Sequence, residues 1–429
     1  MFLMSCTNIP LVTDLLGWLF LGCYKLVFSQ YLWAIVVFTI ATRLLTLPLG
    51  IKQQKGSVTM ARLKPKIDAL NKKFGKDKEK LNEATMALYK EEKYNPAAGC
   101  LPMVVQMVIL FGLIGVIYNP LQYAARIDSE QITNLSQATA ILSSPVVVKV
   151  GSNNINQLGA VNEVSQLDIN ALESRVKKLN DGTETITYVN KVEKNEKDKE
   201  DRNLYINGEL VPSDKLAETL KDFTDEQRNL LRMDSFIKED VKKNEDGSEY
   251  KTYTLWVDPA TLKDIQEFSE DLRPFGGRIN FGDKPKLPFS DGGSWGNILW
   301  LIPILSGLTA FLSSFITQKI NPQQAQPAGS ETNPMAGSMK TMMYIMPLMS
   351  VWFSFSVPAG LGFYWTCSNV ISVGQSLLLN KLYNPKKILA EIEAQEAAKP
   401  SKNKQKQEQK EKRAAAIETT GKDLSDFDE

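Results

Sequence analysis

The sequence contains no histidine, and this absence removes the side chain that proteins use most often as a general base. Catalytic triads built on histidine and imidazole metal sites are excluded with it. Only four cysteines occur, Cys6, Cys23, Cys100 and Cys367, and no two of them form a CxxC pair. The sequence therefore predicts no zinc site, no disulfide framework, no cofactor and no enzyme working through covalent chemistry.

Acidic residues are absent from five long apolar runs, although charged residues are frequent elsewhere in the chain. Each run approaches or exceeds the roughly 20 residues that a helix needs to cross a hydrocarbon core about 30 Å thick. We predict an all-α polytopic membrane protein whose spans are the runs at 31–51, 96–118, 295–317, 341–357 and 359–382. The run at 341–357 is the shortest.

Basic residues predict the orientation. Residues 52–93 hold twelve Lys or Arg against six Asp or Glu, which is typical of a short cytoplasmic loop. Threading from the loop at 52–95 places the amino terminus and residues 119–294 outside. It places the loop at 318–340 and the charged tail at 383–429 inside. We therefore expect a multi-pass protein of a bacterial cell membrane.

The first thirty residues lack the basic region and cleavage site of a signal peptide. Too little apolar sequence precedes Cys6 for lipidation. Asp14 and Lys25 interrupt the apolar stretch at 11–28, so we interpret the segment 1–30 as an amphipathic helix lying in the membrane interface. A sixth span is the alternative.

Three segments outside the spans have patterns of their own. In the loop at 52–95, an apolar helical stripe breaks at Gly75, which predicts a cytoplasmic helical hairpin; a solvated basic loop is the alternative. The segment 119–294 is predicted to be an inserted α+β domain, with an Asn207-Gly208 hairpin turn. The tail suits polyanions such as ribosomal RNA or anionic lipids, or serves solubility alone.

Arg43 is the residue of the first span that is least favourable to insert into a membrane. It lies roughly 18 Å along the helix from Tyr31, where translocon scales assign arginine about +2.5 to +3.5 kcal/mol. No span offers it a carboxylate, so water or a visiting anion remains as partner. Thr39 lies one turn before Arg43 and Pro48 about one turn after, which predicts a polar stripe.

Other spans also carry polar residues, which would enclose a hydrated cavity if they converged. For the serines we favour instead a hydrogen bond to a neighbouring helix, which is common in membranes. The residues concerned are Gln106, Ser306, Ser313, Ser314, Ser368 and Asn369.

One fixed positive charge in an apolar bundle without carboxylates disfavours a proton pump. It suits the transient capture of an anionic group on a hydrophobic substrate. A small-molecule transporter or channel is the alternative, but the sequence shows no internal repeat and no pair of broken helices. A binding protein anchored by five helices would leave Arg43 unexplained.

Four ordered motifs resemble the YidC-type membrane protein insertases in their short form, without a large amino-terminal domain. The resemblance covers residues 31–124 and about 279–383. The motifs are "TIATRLLTLPL", the basic stretch from "LKPKIDALNKKFGKDKEKLNE" to "GCLPMVVQM", "LIPILSGLTAFL" followed by "QKINP", and "MKTMMYIMPLMSVWFSFSVPAGLGFYWTCSNVISVGQ".

The resemblance implies a five-helix insertase core with a hydrated groove, open to the cytoplasm and to lipid and closed on the outside. The residues that it places at the substrate-binding groove are Arg43, Thr39, Gln106, Tyr364, Trp365 and Asn369. It implies as partners nascent membrane protein chains, the ribosome through the hairpin and tail, a Sec-type translocon and membrane lipids. The sequence departs from the pattern in a long insert at 125–278.

Overall fold

The computed structural model is mainly helical. It describes residues 10–28, 30–74, 77–92, 94–95, 101–143, 157–194, 200–212, 215–290, 293, 295–320, 345, 347–383, 390 and 394. The longer helices are α1 (Pro10–Leu26), α2 (Tyr31–Phe74), α3 (Lys78–Glu91), α4 (Leu101–Tyr118), α5 (Ser129–Ser143), α6 (Gln157–Ser165), α7 (Ile169–Asn180), α8 (Leu216–Lys221), α9 (Asp225–Ser235), α10 (Pro259–Asp271), α11 (Leu301–Ile320) and α12 (Ala359–Leu382). A π-helix (Leu121–Ala125) follows α4, a 3-10 turn (Ile298–Trp300) precedes α11, and residues 347–356 are helical.

Strands occur only in the inserted domain, among the residues described. One antiparallel sheet has the order β1 (Tyr188–Lys194), β2 (Glu200–Ile206) and β3 (Glu209–Val211), and a second pairs β4 (Ile237–Lys243) with β5 (Glu249–Leu255). Asn207 and Gly208 join β2 to β3 with φ of 51° and 86°. Two successive positive φ values are the signature of the type I′ turn, so the predicted hairpin turn is confirmed.

The chain divides into two compact units. The first comprises residues 1–47, 100–315 and 341–373, and the second comprises 48–99, 316–340 and 374–429.

In the first unit, α1 packs against α4 through two glycines. A Cβ at Gly112 would lie 2.6 Å from Leu16 Cδ1, and one at Gly115 would lie 2.7 Å from Thr13 Cγ2. The missing side chains therefore allow the two backbones to approach closely. Leu16 is buried in this contact, whereas Leu11 is exposed on another face of α1.

Helix α2 continues past Pro48, which cannot donate the backbone hydrogen bond to the carbonyl one turn earlier. Two threonines near Pro48 donate to the backbone of their own helix: Thr42 donates to Phe38 O at 3.0 Å, and Thr46 donates to Thr42 O at 3.0 Å.

The inserted domain is attached to the helix ends by backbone and side-chain hydrogen bonds. Gln157 Oε1 accepts from the Leu121 N–H at 3.0 Å, just after α4. The first amides of α12 donate to the domain as well, Ala359 N to Asp283 O at 2.8 Å and Gly360 N to Phe281 O at 2.9 Å. One hydrophobic core runs from α1, α2 and α4 into the domain without interruption.

A buried ion pair holds the inserted domain together internally. Arg175 binds Asp234 with two hydrogen bonds, Nε to Oδ1 at 2.5 Å and Nη2 to Oδ2 at 3.0 Å. The Asp234 carboxylate also accepts from the backbone amides of Thr187 and Tyr188, at 3.0 and 3.1 Å. Its side chain is fully buried, and its charge is met by donors from α7 and from the start of β1.

In the second unit, α3 folds back along the end of α2. Asp77 caps the start of α3 by accepting from Lys80 N. Arg62 and Lys66 on α2 both bond the carboxylate of Glu92, which follows α3. These two donors, Lys66 and then Arg62, lower the pKa of Glu92.

Two of the described helical segments, Tyr31–Gln54 and Ile298–Thr317, are long and apolar enough to cross a membrane, and Val104–Tyr118 is a shorter apolar helix. Most of the predicted loop at 318–340, a small part of the predicted span at 341–357, most of the tail, Cys6 and Cys100 lie outside the described residues. The five spans and their orientation stay predictions.

Candidate functional site

Arg43 contacts the last long helix. Its Nη2 donates to the backbone carbonyl of Ser368 at 3.2 Å and also bonds the Ser368 hydroxyl. Arg43 is half-buried, and the described part of the chain gives it no carboxylate partner. Both of its acceptors are neutral, so its positive charge is held in place without being neutralised.

Thr39 lies beside Arg43 in sequence but not in the same environment. Its side chain is fully buried, and its hydroxyl donates to Ile35 O of the same helix at 2.6 Å. The polar stripe predicted from Thr39, Arg43 and Pro48 therefore begins, at its amino-terminal end, with a hydroxyl that already donates to the backbone of its own helix.

Gln106 on α4 reaches the same helix as Arg43 does. Its Nε2 lies 3.5 Å from the Tyr364 hydroxyl, a long hydrogen bond. Tyr364 is only 1% exposed, and its ring lies 6.3 Å from that of Phe38 on α2. The tyrosine thus belongs to the core, with its hydroxyl directed at the polar side chain of α4.

Asn369 faces a different helix from its neighbour Ser368. Its Nδ2 donates to Ser306 O at 3.4 Å and to Thr309 Oγ1 at 3.3 Å, both on α11. Trp365 is half-buried and packs against the hydrophobic core. Helix α12 is therefore the element that joins the site: consecutive residues bond α2 and α11, and Tyr364 meets α4.

Close packing brings the short helix at 347–356 against α11 and α12. A Cβ at Gly307 would lie 2.2 Å from Val351 Cγ2, and one at Gly362 would lie 2.3 Å from Ser354 Oγ. The hydroxyls of Ser306 and Ser354 are both buried, and neither has a hydrogen-bond partner among the residues that the structure describes. Small residues here allow helices to approach each other closely.

The end of the site next to the inserted domain is filled by aromatic rings. Tyr31, at the start of α2, lies 6.1 Å from Phe268 and 6.3 Å from Phe281, centroid to centroid. Phe281 in turn lies 5.3 Å from Phe363 on α12. Such contacts are typical of well-packed aromatic cores, and they leave little room between α2 and α12 at this end.

The polar side chains that the site brings together are a guanidinium, carboxamides and hydroxyl groups. Among the described residues, no group of three or more Cys, Asp or Glu side chains is placed to hold a metal ion. The described cysteines, Cys23 and Cys367, are free. The prediction that the serines bond a neighbouring helix is confirmed for Ser368, whereas the Ser306 hydroxyl has no partner among the described residues. The sequence carries no signal that the partner of Ser368 is Arg43 or that Thr309 bonds Asn369.

The comparisons with known proteins decide the family. The family model described as "60Kd inner membrane protein" matches residues 23–167 and 243–387. The chain belongs to this family. The match includes the last turn of α1, the site helices and residues 119–167 and 243–294 of the inserted domain, and it leaves residues 168–242 outside.

Curated relatives carry the name "Membrane protein insertase YidC". The chain is 44% identical to the one from Fusobacterium nucleatum over 84 residues, which are 20% of this chain and 41% of that protein. It is 48% identical to the one from Caldanaerobacter subterraneus over 80 residues, 19% of this chain and 39% of that protein. It is 41% identical to the one from Alkalihalophilus pseudofirmus over 102 residues, which are 22% of this chain and 40% of that protein. The chain thus matches about two-fifths of the length of these relatives.

Proposed function

We propose that this family member is a membrane protein insertase, which inserts nascent membrane proteins and helps them to fold without covalent chemistry. The observation that carries the proposal is Arg43, a half-buried arginine whose hydrogen-bond partner, Ser368, is neutral. An unneutralised cation inside an apolar bundle attracts an anionic group more strongly than it would in water. The curated relatives bear the name of insertases.

The groove that we propose has two layers. Its surface consists of the half-buried residues Arg43, Gln106, Trp365 and Asn369. Thr39 and Tyr364 lie buried behind it and set the spacing of α2 and α12. An acidic segment of the substrate would bind Arg43, while the neighbouring apolar helix of the substrate leaves the groove along α11 and α12 into lipid.

The driving force in this mechanism is the burial of the substrate's own apolar surface in lipid, at about 25 cal/mol per Å². Exposed apolar side chains on α11, among them Leu308 and Phe311, would provide the lipid-facing path. The aromatic rings of Tyr31, Phe268 and Phe281 support a closed outer end, so the exit is lateral.

The partners follow from the same proposal. Nascent chains would arrive at the second unit, where α3 and the end of α2 form the cytoplasmic hairpin, and the ribosome would contact the hairpin and the basic tail. A Sec-type translocon and membrane lipids complete the set. The location is a bacterial cytoplasmic membrane, with the amino terminus outside and the carboxyl terminus inside.

The position of α1 supports the interfacial interpretation of the amino-terminal segment. Thr13 and Leu16 lie beside the last two turns of α4, and the Tyr24 hydroxyl bonds Asp271 of the inserted domain. In the orientation that we propose, both halves of α1 would lie near the same membrane boundary. A spanning helix would have its two halves at different depths.

Insertion into vesicles reconstituted with the purified full chain tests the proposal. Arg43→Ala should reduce insertion of a single-span substrate with an acidic outer tail about tenfold, because it removes a charge-assisted interaction of roughly 1.5 kcal/mol or more. Arg43→Lys should retain part of the activity. Thr46→Ala, on the same helix, is the matched control, since its hydroxyl only bonds its own backbone.

Unchanged insertion by the Ala variant would contradict the role of Arg43. No insertion by the unmodified chain would contradict the function itself. A substrate with a neutral outer tail should be much less sensitive to the variant, which separates charge capture from general damage to the bundle.

A further inference from the structure

A second pocket lies away from the proposed groove, between α1 and the π-helix that follows α4. Its volume is about 190 Å³. Two opposite charges line it, Asp14 from α1 and Arg126 at the end of the π-helix. Aromatic rings complete the lining, Trp18 and Tyr123.

The arginine of this pocket is positioned by the backbone and by a ring. Arg126 caps the π-helix in the left-handed region, with φ of 59°, which is uncommon outside glycine. Its guanidinium lies over the Trp18 ring, 4.3 Å from the centroid. In the described part of the chain, no carboxylate pairs with the N–H donors of this guanidinium.

The acidic residue is held in a similar way. Asp14 Oδ1 accepts a hydrogen bond from the Tyr123 hydroxyl at 2.9 Å. Gly17 makes this possible, because a Cβ there would lie 2.2 Å from the Tyr123 ring. One carboxylate oxygen of Asp14 remains for another donor. A purely anionic ligand at Arg126 would be repelled by this carboxylate.

An exposed apolar stripe adjoins the pocket. Leu11, Leu15 and Trp18 are 82%, 68% and 65% exposed. Their spacing of four and three residues places them on one face of α1, and Asp14 lies at the edge of that face. The pocket is also next to the end of the apolar helix α4, at Tyr118, which is where headgroups would lie.

We infer that this pocket binds the headgroup of a zwitterionic glycerophospholipid, with the phosphate at Arg126 and the amine at Asp14. The acyl chains of the same lipid would cover the stripe of Leu11, Leu15 and Trp18. Charge complementarity selects a headgroup with both signs, and the stripe selects a lipid over a soluble solute. The inference requires only that α4 crosses the membrane, and it does not depend on the insertase activity.

Native mass spectrometry of the purified full chain tests this inference, with phosphatidylethanolamine and phosphatidylglycerol of the same acyl chains added in turn. The full chain should retain more phosphatidylethanolamine than phosphatidylglycerol. Arg126→Gln should lower the retained phosphatidylethanolamine about tenfold, as expected for a lost hydrogen bond to a charged group. Arg126→Lys should lower it less.

Arg278→Gln is the matched control, since Arg278 is an exposed arginine of the inserted domain outside this pocket. Asp14→Asn should remove the preference for phosphatidylethanolamine. Water-soluble phosphoethanolamine at the same concentration should not displace the lipid.

Three results would overturn the inference. The first is equal retention by Arg126→Gln and Arg278→Gln, with both variants shown to be folded by circular dichroism. The second is a preference of the unmodified chain for phosphatidylglycerol, which would assign a purely anionic ligand. The third is displacement by phosphoethanolamine, which would assign a soluble solute.

Discussion

Arg43 and Ser368 are 325 residues apart in the sequence, and the hydrogen bond between them holds the guanidinium against a neutral acceptor. The serine orients the guanidinium but adds no charge. A carboxylate in the same place would form an ion pair with the arginine and compete with any anionic substrate. The neutrality of Ser368 is therefore as important to the proposed mechanism as the charge of Arg43.

The Ser368→Asp variant tests this at the scale of one residue. We expect it to reduce insertion of substrates with acidic tails to the level of Arg43→Ala, because a resident carboxylate would occupy the arginine. Ser368→Asn, which is polar but uncharged, should retain most of the activity. The vesicle insertion assay measures all three, and full activity of the Asp variant would disprove competition for Arg43.

A second prediction concerns stability. Asp234→Ala should destabilise the inserted domain by about 3 kcal/mol or more, because it removes one of the two carboxylates that pair with the largely buried Arg175 and leaves the backbone amides of Thr187 and Tyr188 without their acceptor. Hydrogen exchange of amides in α7 and β1 measures the loss. Asp222→Ala, at an exposed position of the same domain, is the control and should change exchange little.

Single residues show where sequence reasoning stops. Arg43 can be identified from the sequence because an arginine in an apolar membrane span costs free energy at any position of the span. Its partner cannot be identified from the sequence, because a serine in a membrane span costs little free energy and the sequence does not show which residue it contacts. The pair Arg175 and Asp234 was missed for the same reason: each looks like an ordinary surface charge in the sequence.

Among the elements, the pair formed by α3 and the end of α2 has a pH-dependent contact. Lys66 and Arg62 lower the pKa of Glu92 below its ordinary value of 4.5. A carboxyl group with a lowered folded-state pKa stabilises the folded state above its unfolded pKa. This stabilisation is lost as the pH falls through the lowered folded pKa.

We therefore expect the pairing of α3 with α2 to loosen as the pH is lowered from 7 to below 4. Distances between spin labels on the two helices, measured by electron paramagnetic resonance, should broaden over this range. The Glu92→Gln variant should show a weaker pH dependence. If the Glu92→Gln variant shows the same pH-dependent broadening as the unmodified chain, the broadening arises from other carboxyl groups.

Local patterns predicted the element types better than their ends. The Asn207-Gly208 turn was found where the sequence placed it, because the turn type requires two residues that tolerate positive φ. The stretches "SDKLAETLKDF" at 213–223 and "PATLKDIQEF" at 259–268 each predict a helix. Among the described residues the first helix covers Leu216–Lys221, and the second extends from Pro259 to Asp271. Packing against the rest of the domain sets these ends, and it is not a local property.

At the scale of the whole molecule, the inserted domain is continuous with the helical core through α1, α2, α4 and α12. The sequence suggested a separate insert, because composition changes abruptly near residue 125. The family match instead runs to residue 167 and resumes at 243. Contacts such as Gln157 with the backbone of Leu121 explain why the boundary does not follow composition.

The proposed orientation leads to a prediction for the molecule as a whole. In a variant lacking the native cysteines, a cysteine at Glu209 should react with a membrane-impermeant maleimide on intact cells. One at Glu83 should react only after permeabilisation. Labelling by gel shift measures both, and the reverse pattern would invert the assigned orientation.

The first two amides of α12 donate to carbonyls of the inserted domain, at Asp283 and Phe281. Helix starts always leave such amides without partners inside the helix, and near lipid an unbonded amide costs several kcal/mol. A chimera that exchanges this domain for a short linker must therefore supply two acceptors at the same place. The smallest chimera that keeps both hydrogen bonds is one that retains the segment around residues 281–283 together with α12.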